Sequence, residues 1–147
     1  ISNNKFIDTH FHPIDFLNLF NEKEKKTFQL NDILKIINTK ALNKLICVST
    51  KFQDIDNYYK LSNQFEIFSF SAGIHPCEIN NFYLEEINKI DLLVMNYIKN
   101  KIKIIAIGEI GIDLFHSKDN FINQKEAFEL QIEIALKYDL PLPFLIP

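Results

Sequence analysis

Short apolar runs alternate with longer amphipathic segments along this chain. The apolar runs predict β-strands, whereas apolar residues that recur every three or four positions predict helices. Because strands alternate with helices and are almost wholly apolar, the pattern predicts an α/β fold with a parallel sheet covered by helices. The predicted strands are Lys5–Thr9, Lys44–Ser49, Glu66–Ala72, Ile102–Gly108 and Pro143–Ile146, and the predicted helices are Leu30–Asn38, Ile55–Asn63, Leu84–Lys99 and Asn120–Tyr138, with Asp54 and Asn120 as expected N-caps.

Two histidines stand where the first predicted strand ends. His10 and His12 are one residue apart, and in an extended segment such side chains point to the same side. Two neutral imidazoles that converge in this way suit a divalent transition metal, which needs further ligands from elsewhere in the fold. Asp8 lies within the same strand, where an unpaired acid would be costly. We expect it either to support a histidine ring or to be an ordinary hydrogen-bonded acid.

Three more candidate residues follow later predicted strands. His75 comes after the third strand, and Glu109 and Asp113 come after the fourth. In β/α folds the carboxyl ends of the parallel strands meet at one edge of the sheet, and that edge carries the active site. The sequence therefore predicts that these residues join His10 and His12 in one site, with Glu109 as a further metal ligand.

The residues themselves leave several roles open. His75 either contacts a phosphate or substrate or belongs to a structural His-Pro turn. Asp113 is either a site residue or the cap of a loop, and His116 is expected to be an exposed loop residue. Phe11 is expected to pack in the interior, although an aromatic ring between two ligands could also stack on a base.

Length and composition indicate one domain over residues 1–147. Hydrophobic residues make up 47% of the chain, and no apolar run reaches the ~18 residues of a membrane span. The net charge of −3 argues against a broad basic groove but not against a phosphodiester substrate. The two cysteines form no disulfide framework, so we expect a reducing, cytoplasmic setting, with Cys47 in the core and Cys77 as a partly exposed thiol near the site.

Three ordered motifs resemble those of the TatD family of metal-dependent deoxyribonucleases, within the amidohydrolase-like metal hydrolases. The segment Asp8–His12 is similar to the family's first-strand metal motif, and Ser71–Pro76 to its third-strand signature. The segment Ala106–Asp113 is similar to the fourth-strand motif that supplies a metal-bridging glutamate. The family's usual helix spacing is then matched by Gln124, Phe128 and Gln131.

The resemblance implies a (β/α)8 TIM-type barrel, of which this chain would be roughly the first half, since a whole barrel takes ~250 residues. It also implies hydrolysis of DNA phosphodiester bonds by metal-activated water, with one or two Mg²⁺, Mn²⁺ or Zn²⁺ ions per site. His10 and His12 would hold one ion, and Glu109 would bridge to the second. Glu109, His75 and Asp113 would be the catalytic residues, and His75 would also bind substrate.

The chain departs from the family pattern near its end. Pro147 stands where the fifth strand usually has a metal-binding histidine, and the later ligands of a full barrel do not follow. We therefore expect an incomplete barrel whose open edge favours homo-oligomers, with weak nuclease activity or none. Two other classes stay open: a non-catalytic homologue that binds a metal or a partner, and a related hydrolase of a small amide or ester.

Overall fold

The computed structural model describes residues 6–37 and 42–145, and strands alternate with helices along them. The strands are β1 (Phe6–Phe11), β2 (Leu42–Cys47), β3 (Phe68–Ala72), β4 (Ile104–Ile107), β5 (Ile110–Gly111) and β6 (Phe144–Leu145). The helices are α1 (Pro13–Glu24), α2 (Ile33–Ile36), α3 (Phe52–Gln64), α4 (Tyr83–Lys99) and α5 (Phe121–Tyr138). Single turns of 3₁₀ helix occur at Leu30–Asp32, Pro76–Glu78 and Lys118–Asn120.

The first four strands form one parallel sheet in the order β1-β2-β3-β4. Each of them is followed by a helix that returns the chain to the same end of the sheet, as in the first half of a (β/α)8 barrel. All five residues of β3 are buried. The core is formed by Phe68 and Phe70 of β3 together with apolar residues of α3 and α4, such as Ile55 and Ile90. The predicted α/β fold with a parallel sheet is confirmed.

The fifth predicted strand lies beside β4, and among the described residues it covers Phe144–Leu145. Ile107 donates its N–H to the Pro141 carbonyl oxygen (2.9 Å), and β6 pairs in parallel with the two-residue strand β5. Strand β5 was not predicted as a separate element. The parts of these predictions that fall on Lys5, Asn38, Ile146 and Pro147 lie outside the described residues.

Helix α1 is absent from the predicted elements. It begins with Pro13 at its first position, where a backbone N–H would have no hydrogen-bond partner within the helix. Its C-cap, Lys25, is in the left-handed conformation. Its apolar side chains do not lie on one narrow stripe: Leu17 is buried, whereas Leu19 is 69% exposed. The segment therefore lacks the periodicity that reveals a helix.

The two predicted N-caps are only partly right. Helix α3 begins at Phe52, so Asp54 is its third residue and not its cap. The Asp54 carboxylate nevertheless accepts hydrogen bonds from the N–H groups of Thr50 (3.1 Å) and Lys51 (3.2 Å), which gives the helix start the same stabilisation from inside the first turn. Asn120 does precede α5, but its amide donates to the Ile79 carbonyl (2.7 Å).

Among the described residues, no helix combines the length and the apolar character needed to cross a bilayer.

Strand β1 is an exposed edge of the four-stranded sheet. Within the described residues it pairs with β2 alone, and two of its side chains, Phe6 and Ile7, are 68% and 55% exposed. Unpaired strand edges with apolar side chains promote association. We expect the 147-residue chain to form dimers or larger species in sedimentation velocity. The substitution Ile7→Lys should shift the chain towards monomer, whereas Leu19→Lys, at a still more exposed position of α1, should not. A monomeric wild-type chain at high concentration would contradict this.

Candidate metal centre

A buried serine ties together the carboxyl ends of three strands. Ser49, directly beyond β2, is fully buried, and its hydroxyl accepts a hydrogen bond from the N–H of Gly73 (2.8 Å) and lies 3.1 Å from the Gly73 carbonyl oxygen. The Ser49 carbonyl in turn accepts the N–H of Glu109 (3.0 Å). The ends of β2, β3 and β4 are therefore fixed relative to one another where Glu109 leaves the sheet.

Two glycines allow this close approach. A Cβ atom on Gly73 would lie 2.8 Å from the Gly108 backbone, and one on Gly108 would lie 2.5 Å from the Pro143 carbonyl oxygen. Both distances are shorter than van der Waals contact allows. Any larger residue at either position would push the strand ends apart and displace Glu109.

His10, His12 and Glu109 come together at this end of the sheet. One potential ligand atom from each lies within 4.8 Å of the other two. The Nε2 atom of His10 is 3.4 Å from Oε2 of Glu109, and the two imidazole rings are 4.8 Å apart. Glu109 is only 8% exposed, whereas the side chain of His10 is half exposed. The cluster is thus buried on the glutamate side and open to solvent on the histidine side.

The ring of His12 is held in the form that a metal requires. Its Nδ1 atom lies 3.0 Å from the Val48 carbonyl oxygen. Because a carbonyl can only accept a hydrogen bond, Nδ1 carries a proton, and Nε2 is the nitrogen through which the neutral ring can bind a metal ion. Backbone carbonyls orient metal-binding histidines in this way in known sites. The donor set therefore fits a divalent metal ion.

Asp8 contacts the main chain of His10. Its carboxylate accepts the backbone N–H of His10 (3.0 Å). This contact fixes the strand end and does not involve an imidazole ring, so it matches the hydrogen-bonded acid that the sequence left open as an alternative. That Asp8 orients a histidine ring stays a prediction.

His75 lies beside the cluster in a neutral form. The backbone N–H of Cys77 donates to His75 Nδ1 (3.1 Å), so the ring proton is on Nε2. Burial lowers the pKa of His75, and the nearby carboxylates of Glu109 and Asp113 offset this only partly. The imidazole is therefore a hydrogen-bond donor without a positive charge at neutral pH.

Asp113 makes the contacts of a loop cap, one of the two roles that the sequence left open. Its Oδ1 atom accepts the backbone N–H groups of Phe115 and His116, both at 2.8 Å, and its Oδ2 atom lies 2.8 Å from Nδ1 of His116. These hydrogen bonds, those of His116 above all, hold the pKa of Asp113 well below its usual range. The ring of His116 is exposed, as predicted, but it is paired with this carboxylate.

The remaining side-chain predictions concern packing. Cys47 is fully buried and Cys77 is an exposed free thiol, as expected. Phe11 packs against Phe16 at the edge of the core, with ring centroids 5.6 Å apart.

Two buried glutamines of α5 hold the loops that carry His75 and Asp113. The Gln131 amide accepts the N–H of Ile74 (2.7 Å) and donates to its carbonyl (3.3 Å). The Gln124 amide accepts the N–H of Asp113 (2.8 Å) and donates to the Ser117 carbonyl (2.7 Å). In the sequence, only the spacing of the family motif pointed to these glutamines. Their position on the apolar face of the helix was the signal that their amides bind buried backbone N–H and C=O groups.

Comparison with known proteins gives one consistent family. The family described as TatD related DNase matches residues 7–144. Curated relatives include a metal-dependent hydrolase, BU355, of Buchnera aphidicola subsp. Acyrthosiphon pisum (29% identical; 92% of this chain, 50% of the relative). Another is the deoxyribonuclease Tat-D of Schizosaccharomyces pombe (26% identical; 94% of this chain, 47% of the relative). The chain thus spans about half the length of these relatives.

Solved structures show the same fold. The crystal structure of YjjV, a TatD homologue of Escherichia coli K12, superposes with a TM-score of 0.68 at 25% identity and covers 96% of this chain and 50% of that one. A TatD-family hydrolase of Entamoeba histolytica superposes with a TM-score of 0.75 at 24% identity over 96% of this chain and 49% of its own. The described residues therefore form part of a TIM-type barrel, as predicted.

Replacing the buried amide of Gln131 should destabilise the chain. In Gln131→Leu the N–H and C=O of Ile74 lose their buried partner, which costs about 2–4 kcal/mol in the free energy of unfolding. Glu129→Leu, on the exposed face of the same helix, removes a surface ion pair with Lys125 and should cost under about 1 kcal/mol. Urea denaturation followed by circular dichroism measures both. Equal stabilities of the two variants would show that the amide does not carry this role.

Metal binding should depend on all three residues of the cluster. Calorimetry with Mn²⁺, an ion that prefers carboxylate and imidazole ligands to thiolate, should show binding that His10→Ala or Glu109→Gln weakens by ~10-fold or more. The control is Asp15→Asn, an exposed carboxylate in the first turn of α1. Wild-type affinity in both His10→Ala and Glu109→Gln would refute the centre.

Proposed function

The chain belongs to the family of TatD-related DNases, and from that premise we propose that the protein is a metal-dependent hydrolase that cleaves DNA phosphodiester bonds. One observation carries the proposal: His10, His12 and Glu109 converge from strands that are not neighbours in the sheet. Packing alone does not require two histidines and a nearly buried carboxylate to meet there. The name of the fission-yeast relative, deoxyribonuclease Tat-D, supports DNA as the substrate.

The three residues would hold a divalent cation, with Mg²⁺, Mn²⁺ and Zn²⁺ as candidates and Glu109 in a position to share a second ion. When bound, such an ion lowers the pKa of a coordinated water and polarises a phosphoryl oxygen. The protein's part is to present ligands in the right form. The Val48 carbonyl accepts the Nδ1 proton of His12, so that Nε2 is the nitrogen available to a metal ion, and burial restricts the Glu109 carboxylate. Glu109 would also accept a proton from a reacting water as general base.

His75 would position the substrate. Its Nε2–H can donate to a phosphate oxygen. Its lowered pKa keeps the ring neutral, so the ring does not repel a bound cation. Asp113 would contribute indirectly, by holding the loop beside His75. The net charge of −3 leaves little electrostatic attraction for DNA elsewhere on the chain, which concentrates phosphate recognition at the metal centre. A cytoplasmic location suits the two free thiols.

A non-catalytic, metal-binding role is the second candidate. The described residues bring three protein ligands to the centre, which is enough to bind a metal ion, whereas catalysis also needs the reacting groups placed to within about an ångström, an error of that size costing ~100-fold in rate. We therefore expect slow chemistry from the 147-residue chain.

The test is cleavage of a labelled DNA duplex with Mg²⁺ or Mn²⁺, with the fission-yeast deoxyribonuclease Tat-D as reference. We expect cleavage at least ~100-fold slower than the reference, abolished by chelation and by Glu109→Gln, and unchanged in Asp15→Asn. Metal binding without any cleavage would favour the non-catalytic role. Turnover of a small ester or amide panel, with DNA left intact, would favour a related hydrolase. Cleavage that survives Glu109→Gln would refute the proposed site.

A further inference from the structure

A second group of metal-binding side chains lies beside the first. Cys77, Asp113 and His116 each offer one ligand atom, and these atoms lie within 4.8 Å of one another. The Cys77 Sγ atom is 3.4 Å from Asp113 Oδ2, which is 2.8 Å from His116 Nδ1. None of these atoms belongs to the centre formed by His10, His12 and Glu109.

We propose that Cys77, Asp113 and His116 form a separate binding site for a thiophilic divalent cation such as Zn²⁺ or Co²⁺. Thiolate, imidazole and carboxylate are the ligands that Zn²⁺ uses in proteins. Three protein ligands leave a fourth position for water, and the exposure of Cys77 and His116 gives an ion direct access. The inference does not depend on the proposed nuclease activity.

One distance in the group equals that of a tetrahedral site, and a second is shorter than it by about half an ångström. With Zn–S of ~2.3 Å and Zn–N and Zn–O of ~2.1 Å, ligand atoms lie roughly 3.4–3.6 Å apart. The separation of Sγ and Oδ2, 3.4 Å, already matches. The His116 ring would have to withdraw from Oδ2 by about half an ångström, and its exposed side chain is free to do so.

The carboxylate at the middle of the group is held in place. Oδ1 of Asp113 accepts two backbone N–H groups, so Oδ2 is the oxygen left to face Cys77 and His116. The main chain of Asp113 is fixed by the fully buried Gln124. The turn that carries Cys77 is tied to the same region because Asn120 donates to Ile79. The fold thus sets the position of the Asp113 carboxylate, and the exposed side chains of Cys77 and His116 lie next to it.

Binding would exchange protons for the metal. The Cys77 thiol, which now donates to Asp113, would lose its proton to solvent and bind as thiolate. The imidazole proton of His116 would move from Nδ1 to Nε2 so that the Nδ1 lone pair could bind. One proton is released per ion, and no redox change occurs.

The ion would join the loop after β3 to the loop after β5. Cys77 also donates its backbone N–H to His75, so the joined loops include the residue that we assign to substrate positioning. Occupancy of this site should therefore restrict His75 without touching the first centre.

Co²⁺ titration of the reduced 147-residue chain tests the site, because a thiolate ligand gives a charge-transfer absorption that histidine and carboxylate ligands do not. We expect one such band per chain, retained in His10→Ala and Glu109→Gln. Cys77→Ser should abolish it, and His116→Ala should weaken Co²⁺ binding at this site by ~10-fold or more. Asp119→Asn, an acid of the same loop, should have no effect.

Three results would overturn the proposal. The first is the absence of the band in the wild-type chain, and the second is its survival in Cys77→Ser. The third is a band that appears only as chain concentration rises, which would show that Cys77 thiols of two chains share the ion. Cys77 and His116 are exposed, so their variants should fold, and circular dichroism checks this.

Discussion

The curvature of the four-stranded sheet is the constraint on which the candidate metal centre depends. Its histidines come from the end of β1 and its glutamate from the end of β4, with β2 and β3 between them. In a flat sheet these two strands would be roughly 14 Å apart, three strand spacings of about 4.8 Å. Nε2 of His10 and Oε2 of Glu109 are nevertheless 3.4 Å apart. The sheet of a TIM-type barrel curves around the barrel axis, and this curvature brings the ends of β1 and β4 closer together than a flat sheet would.

The bend is maintained by contacts that exclude side chains. Gly73 and Gly108 let the backbones of β3, β4 and the segment at Pro143 approach within distances that no Cβ atom tolerates. The hydroxyl of Ser49 occupies the remaining space and satisfies the polar groups that the approach would bury. Where the strands have ended, the amides of α5 take over this task, with Gln131 bound to Ile74 and Gln124 to Asp113. Every buried side-chain nitrogen and oxygen of the described residues has a partner, as a preorganised site requires.

The sequence predicts those parts of the structure that depend on local pattern. Strands β1 to β4 and helices α3 to α5 are apparent because continuous apolar runs and helical periodicity both follow from burial on defined faces. Helix α1 was missed because exposed Leu19 and the charged residues after it conceal its buried side. Asp54 was misplaced because an acidic residue can stabilise the start of a helix from any of several positions in its first turn. The convergence of strand ends on one site follows from parallel topology. The role of the Val48 carbonyl does not, since a backbone partner leaves no trace in residue type. The role of the Ser49 hydroxyl does not either, since only the fold brings Gly73 to it.

The two ligand groups differ in chemistry in a way that should separate their ions. The first offers two imidazoles and a carboxylate, a set open to Mg²⁺, Mn²⁺ and Zn²⁺, whereas the second has a thiol in place of one imidazole and so favours softer cations. His75 lies between them: both Glu109 and Asp113 act on its charge, and its Nδ1 atom is bound to the backbone of Cys77. An ion at either group would therefore act on the same imidazole. If both groups bind metal, an ion at the second group would affect the first centre by fixing the position of the His75 ring. This requires no shared ligand and no change of fold.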